Sequence, residues 1–132
     1  MKILKSILAI TVLALATSSA VAGEFPDVSL DQLEQAIDAK SVVILDVNGS
    51  KSYAQGHIPS AIDFSSVKDL SAKLPKNKDA LIVAYCGGPR CMAYKKAATA
   101  AKKLGYTNVK HLSAGISGWT DAGKPLGKAK SN

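Results

Sequence analysis

The sequence is short of nearly everything that marks a specialised scaffold. Its 132 residues hold two cysteines, five prolines, one tryptophan, four tyrosines and two phenylalanines. Two cysteines cannot make a disulfide-dense mini-protein, and they leave little for a Cys-rich zinc module. Ten glycines and five prolines exclude collagen-like and low-complexity chains. The length excludes a multidomain enzyme and a repeat array. Long apolar runs are missing too. The longest apolar stretch, Ile7 to Ala16, is broken by Thr11. It is about half of the roughly 20 residues that a membrane-spanning helix needs.

That stretch belongs to a three-part pattern. Lys2 and Lys5 precede it, and Thr17-Ser18-Ser19 and the small-x-small triplet Ala20-Val21-Ala22 follow. This is the layout of a secretory signal peptide. Residues 1–22 are therefore expected to be removed after Ala22, giving a periplasmic protein without a stable membrane anchor. No cysteine follows the cleavage site to carry a lipid. Residues 23–132 are then expected to form one domain.

The charge is basic, 17 Lys and Arg against 10 Asp and Glu, but it is spread out. The runs Lys73–Lys78 and Lys124–Lys130 are short and carry no interleaved aromatics. Nucleic-acid binding calls for a concentrated stripe, so no nucleic-acid partner is expected. A diffuse positive field still favours small anionic substrates.

Ser29 is a good N-cap with Gln32 three residues on, and Leu30, Leu33 and Ile37 follow at helical spacing. Val42–Leu45 is a β-branched-rich run that reads as a strand buried on both faces. Ser50–Gln55 fits a single helical turn stopped by Gly56, Ala61–Phe64 a short strand, and Val67–Leu74 a short helix ended by Pro75. Ala80–Tyr85 is the second strong strand. Met92–Leu104 is rich in helix formers with Gly105 as C-cap, Val109–Leu112 is a further strand, and Gly115–Ala122 is a turn with a short helix. Strands alternating with helices argue for an α/β sandwich with a mostly parallel sheet.

The chemistry concentrates at Cys86. A buried strand ends, the cysteine comes at once, and Gly87, Gly88, Pro89, Arg90 and Cys91 lead into a helix. Ligands of open α/β sheets bind beyond the carboxyl ends of the strands. Successive amides in a glycine turn and at a helix start form an anion-binding nest. Such a cradle favours thiolate over thiol and holds an anion beside the sulfur. Arg90 adds a fixed positive charge. The plain alternative, a small buried hydrophobe, fits poorly with two glycines, a proline and an arginine directly after it.

With these residues in view, the chain resembles a single-domain rhodanese, from about Leu30 to Leu126. Three blocks carry the likeness. Ile44-Leu45-Asp46-Val47 with Tyr53–Ile62 is similar to the leading strand and its G-H-I-P-x-A segment. Leu81–Tyr85 followed by Cys86 is similar to the strand that delivers the catalytic cysteine. Leu112–Trp119 is similar to the closing G-x-x-x-W segment. The resemblance implies a three-layer sandwich with a central sheet of about five strands flanked by helices. It implies a sulfurtransferase that carries sulfane sulfur as a persulfide on Cys86. The donor would be a small anion, thiosulfate or a polysulfide; the acceptor would be a thiol or cyanide, or a partner protein. No metal or organic cofactor is required. Gly87, Gly88, Arg90, Cys91 and Met92 would bind substrate, with Asp46 and His57 in support. Asp46 would bond loop amides or cap its own turn, and His57 would fix its loop in preference to acting as a general base.

The likeness has departures. The family often has arginine directly after the cysteine, and arginine or threonine at the loop end; here these are Gly87 and Cys91. Pro89 removes one amide donor, and Asn48 stands where an arginine is frequent. A weaker anion clamp points to a donor other than thiosulfate, or to slow turnover with it. Cys91 leaves three readings open. It is a neutral replacement, or it attacks the inner sulfur of the Cys86 persulfide, or the pair is a dithiol redox couple. A bridge needs Cα atoms within about 7 Å, which a curled loop allows and a regular helix does not. Two other classes compete. Cysteine phosphatases and arsenate reductases use Cys-x5-Arg, but Met92 occupies the arginine position. A sulfur carrier or binding module without independent turnover is the other.

Overall fold

The computed structural model describes residues 25–129, so the expected signal segment, residues 1–22, lies outside the described residues. The order of elements is α1 (Leu30–Asp38), β1 (Val42–Asp46), α2 (Ser50–Gln55), β2 (Ile62–Asp63), β3 (Leu81–Tyr85), α3 (Tyr94–Lys103), β4 (Val109–His111) and α4 (Gly115–Asp121). The strands form one sheet in the order β2-β1-β3-β4, and every pairing is parallel.

Alternation along the strands assigns the two faces. Leu45, Ile82, Ala84 and Cys86 face a layer built on α3, with Ala97, Ala98 and Ala101 packed against them. Ile44, Val83 and Tyr85 face the other way, onto Leu33 of α1 and Trp119 of α4. These are the three layers implied by the resemblance, and helices cover both faces, as a parallel sheet demands. Trp119 is a core anchor whose Nε1–H donates to the Pro125 carbonyl at 2.7 Å.

The sheet has four strands among the described residues rather than about five. The missing strand shrinks to one parallel bridge, Asp27 with His111. The Val28 amide donates to the His111 carbonyl at 2.8 Å, and the His111 amide to the Pro26 carbonyl at 2.9 Å. Pro26 lacks an N–H, and Ser29 already caps α1 with a complete capping box, so nothing lengthens the pairing. The expected helix over Val67–Leu74 is also absent. That stretch holds one 3-10 turn, Ser71–Lys73, and a second, Phe64–Ser66, directly precedes it. Within the stretch Asp69 accepts from the Ser71 amide, so a side chain competes for a donor the helix would need; Asp63 does the same for the Ser65 amide in the preceding turn.

Candidate functional site

From β1 the chain runs through α2 to β2 on one side; from β3 it runs through α3 to β4 on the other. The direction of winding therefore reverses between β1 and β3. That reversal opens a crevice at the carboxyl ends of the strands, where α/β proteins bind ligands. Asp46 and Tyr85 are register partners at those ends, and Cys86 is the next residue.

Cys86 is buried, with 1% of its surface exposed. Its carbonyl accepts the Ile116 amide at 3.0 Å, and the Gly87 carbonyl accepts the Ser117 amide at 3.0 Å. The first turn of α4 thus holds two consecutive peptide planes. In a trans peptide the N–H points opposite to the C=O, so the Gly87 and Gly88 amides are turned away from α4. Neither amide has a protein acceptor among the described residues. This close seating needs glycine at 115, where the clash is with backbone, and leaves little room beside Gly88. A Cβ on Gly115, whose φ is +61°, would lie 2.6 Å from Gly87 C and from Gly88 N, and one on Gly88 would lie 2.8 Å from Ser117 Oγ.

The loop then curls. The Cys91 amide donates to the Gly88 carbonyl at 3.0 Å, and Cys86 and Cys91 are joined by a disulfide with their Cα atoms 6.2 Å apart. The curl delays α3, which begins at Tyr94 rather than Met92. Gly87, Gly88, Pro89, Arg90, Cys91 and Ser117 line an open depression of about 410 Å³. Arg90 is exposed at its rim and Cys91 half-buried. Met92 is 56% exposed and does not line the depression.

Asp46 is fully buried. Its Oδ1 accepts the Asn48 amide at 2.8 Å, and its Oδ2 accepts the Tyr85 hydroxyl. Both oxygens thus serve the strand end and its turn, and neither reaches the 87–91 loop. Burial raises its pKa above the ordinary carboxylate value, while the Tyr85 and Asn48 donors pull it down. The Tyr85 hydroxyl also accepts the Ile58 amide at 3.0 Å. Burial and the adjoining carboxylate push its own pKa far up, keeping it a neutral donor.

The buried His57 stacks on Tyr53, with ring centroids 3.8 Å apart. Its Nδ1–H donates to the Tyr53 carbonyl at 2.9 Å. Its backbone pairs with Gly127 in both directions, at 3.0 and 2.8 Å. All these bonds fix the loop. Tyr94 is buried, packed on Phe25 and stacked on His111. Sequence reasoning passed over Tyr85 and the carbonyl clamp of Ile116 and Ser117. The clamp had a signal, the G-x-x-x-W segment; the role of Tyr85 depends on cross-strand register, which had none.

An open parallel α/β domain with a cysteine loop at the winding reversal defines the class. The chain matches the rhodanese-like domain over residues 29–122. It belongs to the rhodanese-like family. It is 36% identical over 91 residues to an HTH-type transcriptional regulator of Mycobacterium tuberculosis, covering 67% of this chain and 39% of the regulator. It is 31% identical over 96 residues to the tRNA uridine(34) hydroxylase of Buchnera aphidicola, covering 67% of this chain and 29% of that protein. The chain thus spans well under half the length of these two relatives. The thiosulfate sulfurtransferase GlpE of Shewanella oneidensis is matched over 95% of its length and 74% of this chain, at 28% identity. The crystal structure of BH2092 from Bacillus halodurans superposes with a TM-score of 0.64 at 26% identity, over 77% of this chain and 76% of that one.

Proposed function

We propose that this protein is a periplasmic sulfurtransferase that carries sulfane sulfur as a persulfide on Cys86. Membership of the rhodanese-like family and the near full-length match to GlpE support the class. One observation carries the residue assignment. Cys86 sits at the winding reversal with the Gly87 and Gly88 amides left without protein acceptors by the α4 clamp. These amides are the donors for a thiolate, and afterwards for the outer sulfur of a persulfide. Arg90 at the rim attracts an anionic donor, thiosulfate or a polysulfide.

In the first half-reaction the Cys86 thiolate attacks the outer sulfur of thiosulfate. The donor S–S bond breaks and sulfite leaves with the electron pair. In the second, a thiol or cyanide takes the outer sulfur and Cys86 is restored as thiolate. This is covalent catalysis with ping-pong kinetics. The signal-type pattern of residues 1–22 supports export, as does a disulfide, a bond that persists in oxidising compartments.

Intact mass tests the carrier step. The reduced Cys91→Ser variant, treated with thiosulfate and desalted, should gain about 32 Da as one sulfur atom. The gain should vanish when Cys86 is also replaced by serine. A gain that survives that second change places the sulfur elsewhere and ends the assignment. Export is checked by N-terminal sequencing of the protein from a periplasmic extract, with Gly23 expected first.

A further inference from the structure

We propose that Cys91 is the resolving thiol of this site, so that the domain releases its sulfur as hydrosulfide and becomes a disulfide in the same step. The inference rests on the persulfide reading of Cys86 and assigns the fate of that persulfide. Three features carry it. Cys86 and Cys91 are bonded while β3, α3 and α4 are all intact, so the bond needs no unfolding. The loop accommodates a Cα separation of 6.2 Å, curled by a turn in which the Cys91 amide donates to the Gly88 carbonyl. The two sulfurs also differ in access: Cys86 is buried at the end of β3, and Cys91 lies half-exposed in the depression.

The step balances without an outside oxidant. Cys91 thiolate attacks the Cys86 sulfur, which is the inner sulfur of the persulfide. A Cys86–Cys91 bond forms, and the bond between inner and outer sulfur breaks. The outer sulfur leaves with the electron pair and takes a proton as hydrosulfide. Two thiols are oxidised to a disulfide, and the sulfane sulfur is reduced to sulfide. With thiosulfate as donor, the reduced protein and thiosulfate give the disulfide, sulfite and hydrosulfide. A further turnover requires a dithiol reductant. Its thiolate reaches the half-exposed Cys91 sulfur first, and Cys86 departs as the thiolate beside the Gly87 and Gly88 amides. The regenerated nucleophile is then in place for the next sulfur.

The test is anaerobic. Reduced, desalted protein is mixed with one equivalent of thiosulfate, and in a second series with glutathione hydropersulfide; sulfite, hydrosulfide and intact mass are monitored. The wild type should release one equivalent of hydrosulfide and end about 2 Da lighter, as a dithiol becoming a disulfide. Cys91→Ser should release no hydrosulfide and end about 32 Da heavier, as a stable persulfide. If the wild type and Cys91→Ser both keep the added sulfur, the resolving role is overturned and the carrier reading stands. If neither chain takes sulfur from either donor, the carrier reading fails and the resolving role fails with it.

Discussion

Asp46 and Tyr85 are tied together twice, as register partners of β1 and β3 and through the Tyr85 hydroxyl on Asp46 Oδ2. The same hydroxyl takes the Ile58 amide, so one side chain joins two strand ends to the G-H-I-P segment directly before Cys86. Tyr85→Phe leaves a buried amide and a buried carboxylate short of a partner. It should cost about 3 kcal/mol. Asp46→Asn keeps an acceptor for the hydroxyl and should cost only about 1 kcal/mol. Denaturant midpoints of the two variants check the order, and a reversed order would show that the carboxylate charge matters more than the hydroxyl.

Two glycines with similar backbone give a matched comparison. Gly115 and Gly123 have φ of +61° and +70°, but only at Gly115 would a Cβ strike backbone, that of Gly87 and Gly88. Gly123→Ala should cost about 1 kcal/mol, the left-handed penalty alone. Gly115→Ala adds overlap that backbone atoms cannot relieve, and should cost at least about 3 kcal/mol. It should also slow sulfur loading of Cys86 at temperatures where the variant remains folded. Equal losses at the two positions would mean that α4 moves away without consequence.

The disulfide closes a very short loop. Chain-entropy arguments assign such a closure about 2 kcal/mol. Reductant should lower the unfolding midpoint of the wild type accordingly and leave that of Cys91→Ser unchanged. An unaltered wild-type midpoint would show that the loop gains nothing from closure.

Reduction should enter at Cys91. With glutathione in limited amounts, the transient mixed disulfide should be found by peptide mapping on Cys91. A mixed disulfide found mainly on Cys86 would reverse the proposed direction.

His111 gives the domain a slope with pH. Its Nε2 is buried without a partner among the described residues, its ring lies on Tyr94, and burial lowers its pKa while the Asp27 carboxylate opposes the shift. The unfolded chain therefore takes up the proton at a higher pH than the folded one. Above an ordinary histidine pKa of about 6.5 both states are neutral and stability is complete. As pH falls below that value, protonation favours the unfolded chain and stability declines. His111→Gln should flatten the midpoint between pH 7.5 and 5; an unchanged slope would assign it to other groups.

Much of the fold was legible in the sequence because it is local. The Ser29–Gln32 capping box, the two β-branched runs and the glycines after Cys86 each arise from neighbouring residues, and the parallel sheet from the alternation of strands with helices. The unread parts are long-range. Whether Asp46 meets Tyr85 depends on register between strands far apart in sequence. Whether Gly115 touches Gly87 depends on how α4 lands. Whether Cys86 reaches Cys91 depends on the curl of the 87–91 loop, which also delays the start of α3. The lost fifth strand and the two 3-10 turns are cases in which side-chain acceptors and proline prevail over backbone pairing.

The clamp of Ile116 and Ser117 on the cysteine loop also sets an order in time. Residue 86 emerges from synthesis well before residues 115–117, so for that interval the thiol exists without its shaped loop. A chain still being made, or one threaded unfolded through a pore, travels with this cysteine unarmed. If Cys86 carries sulfur as proposed, the docking of α4 would complete the site, and reactivity would report that folding has finished.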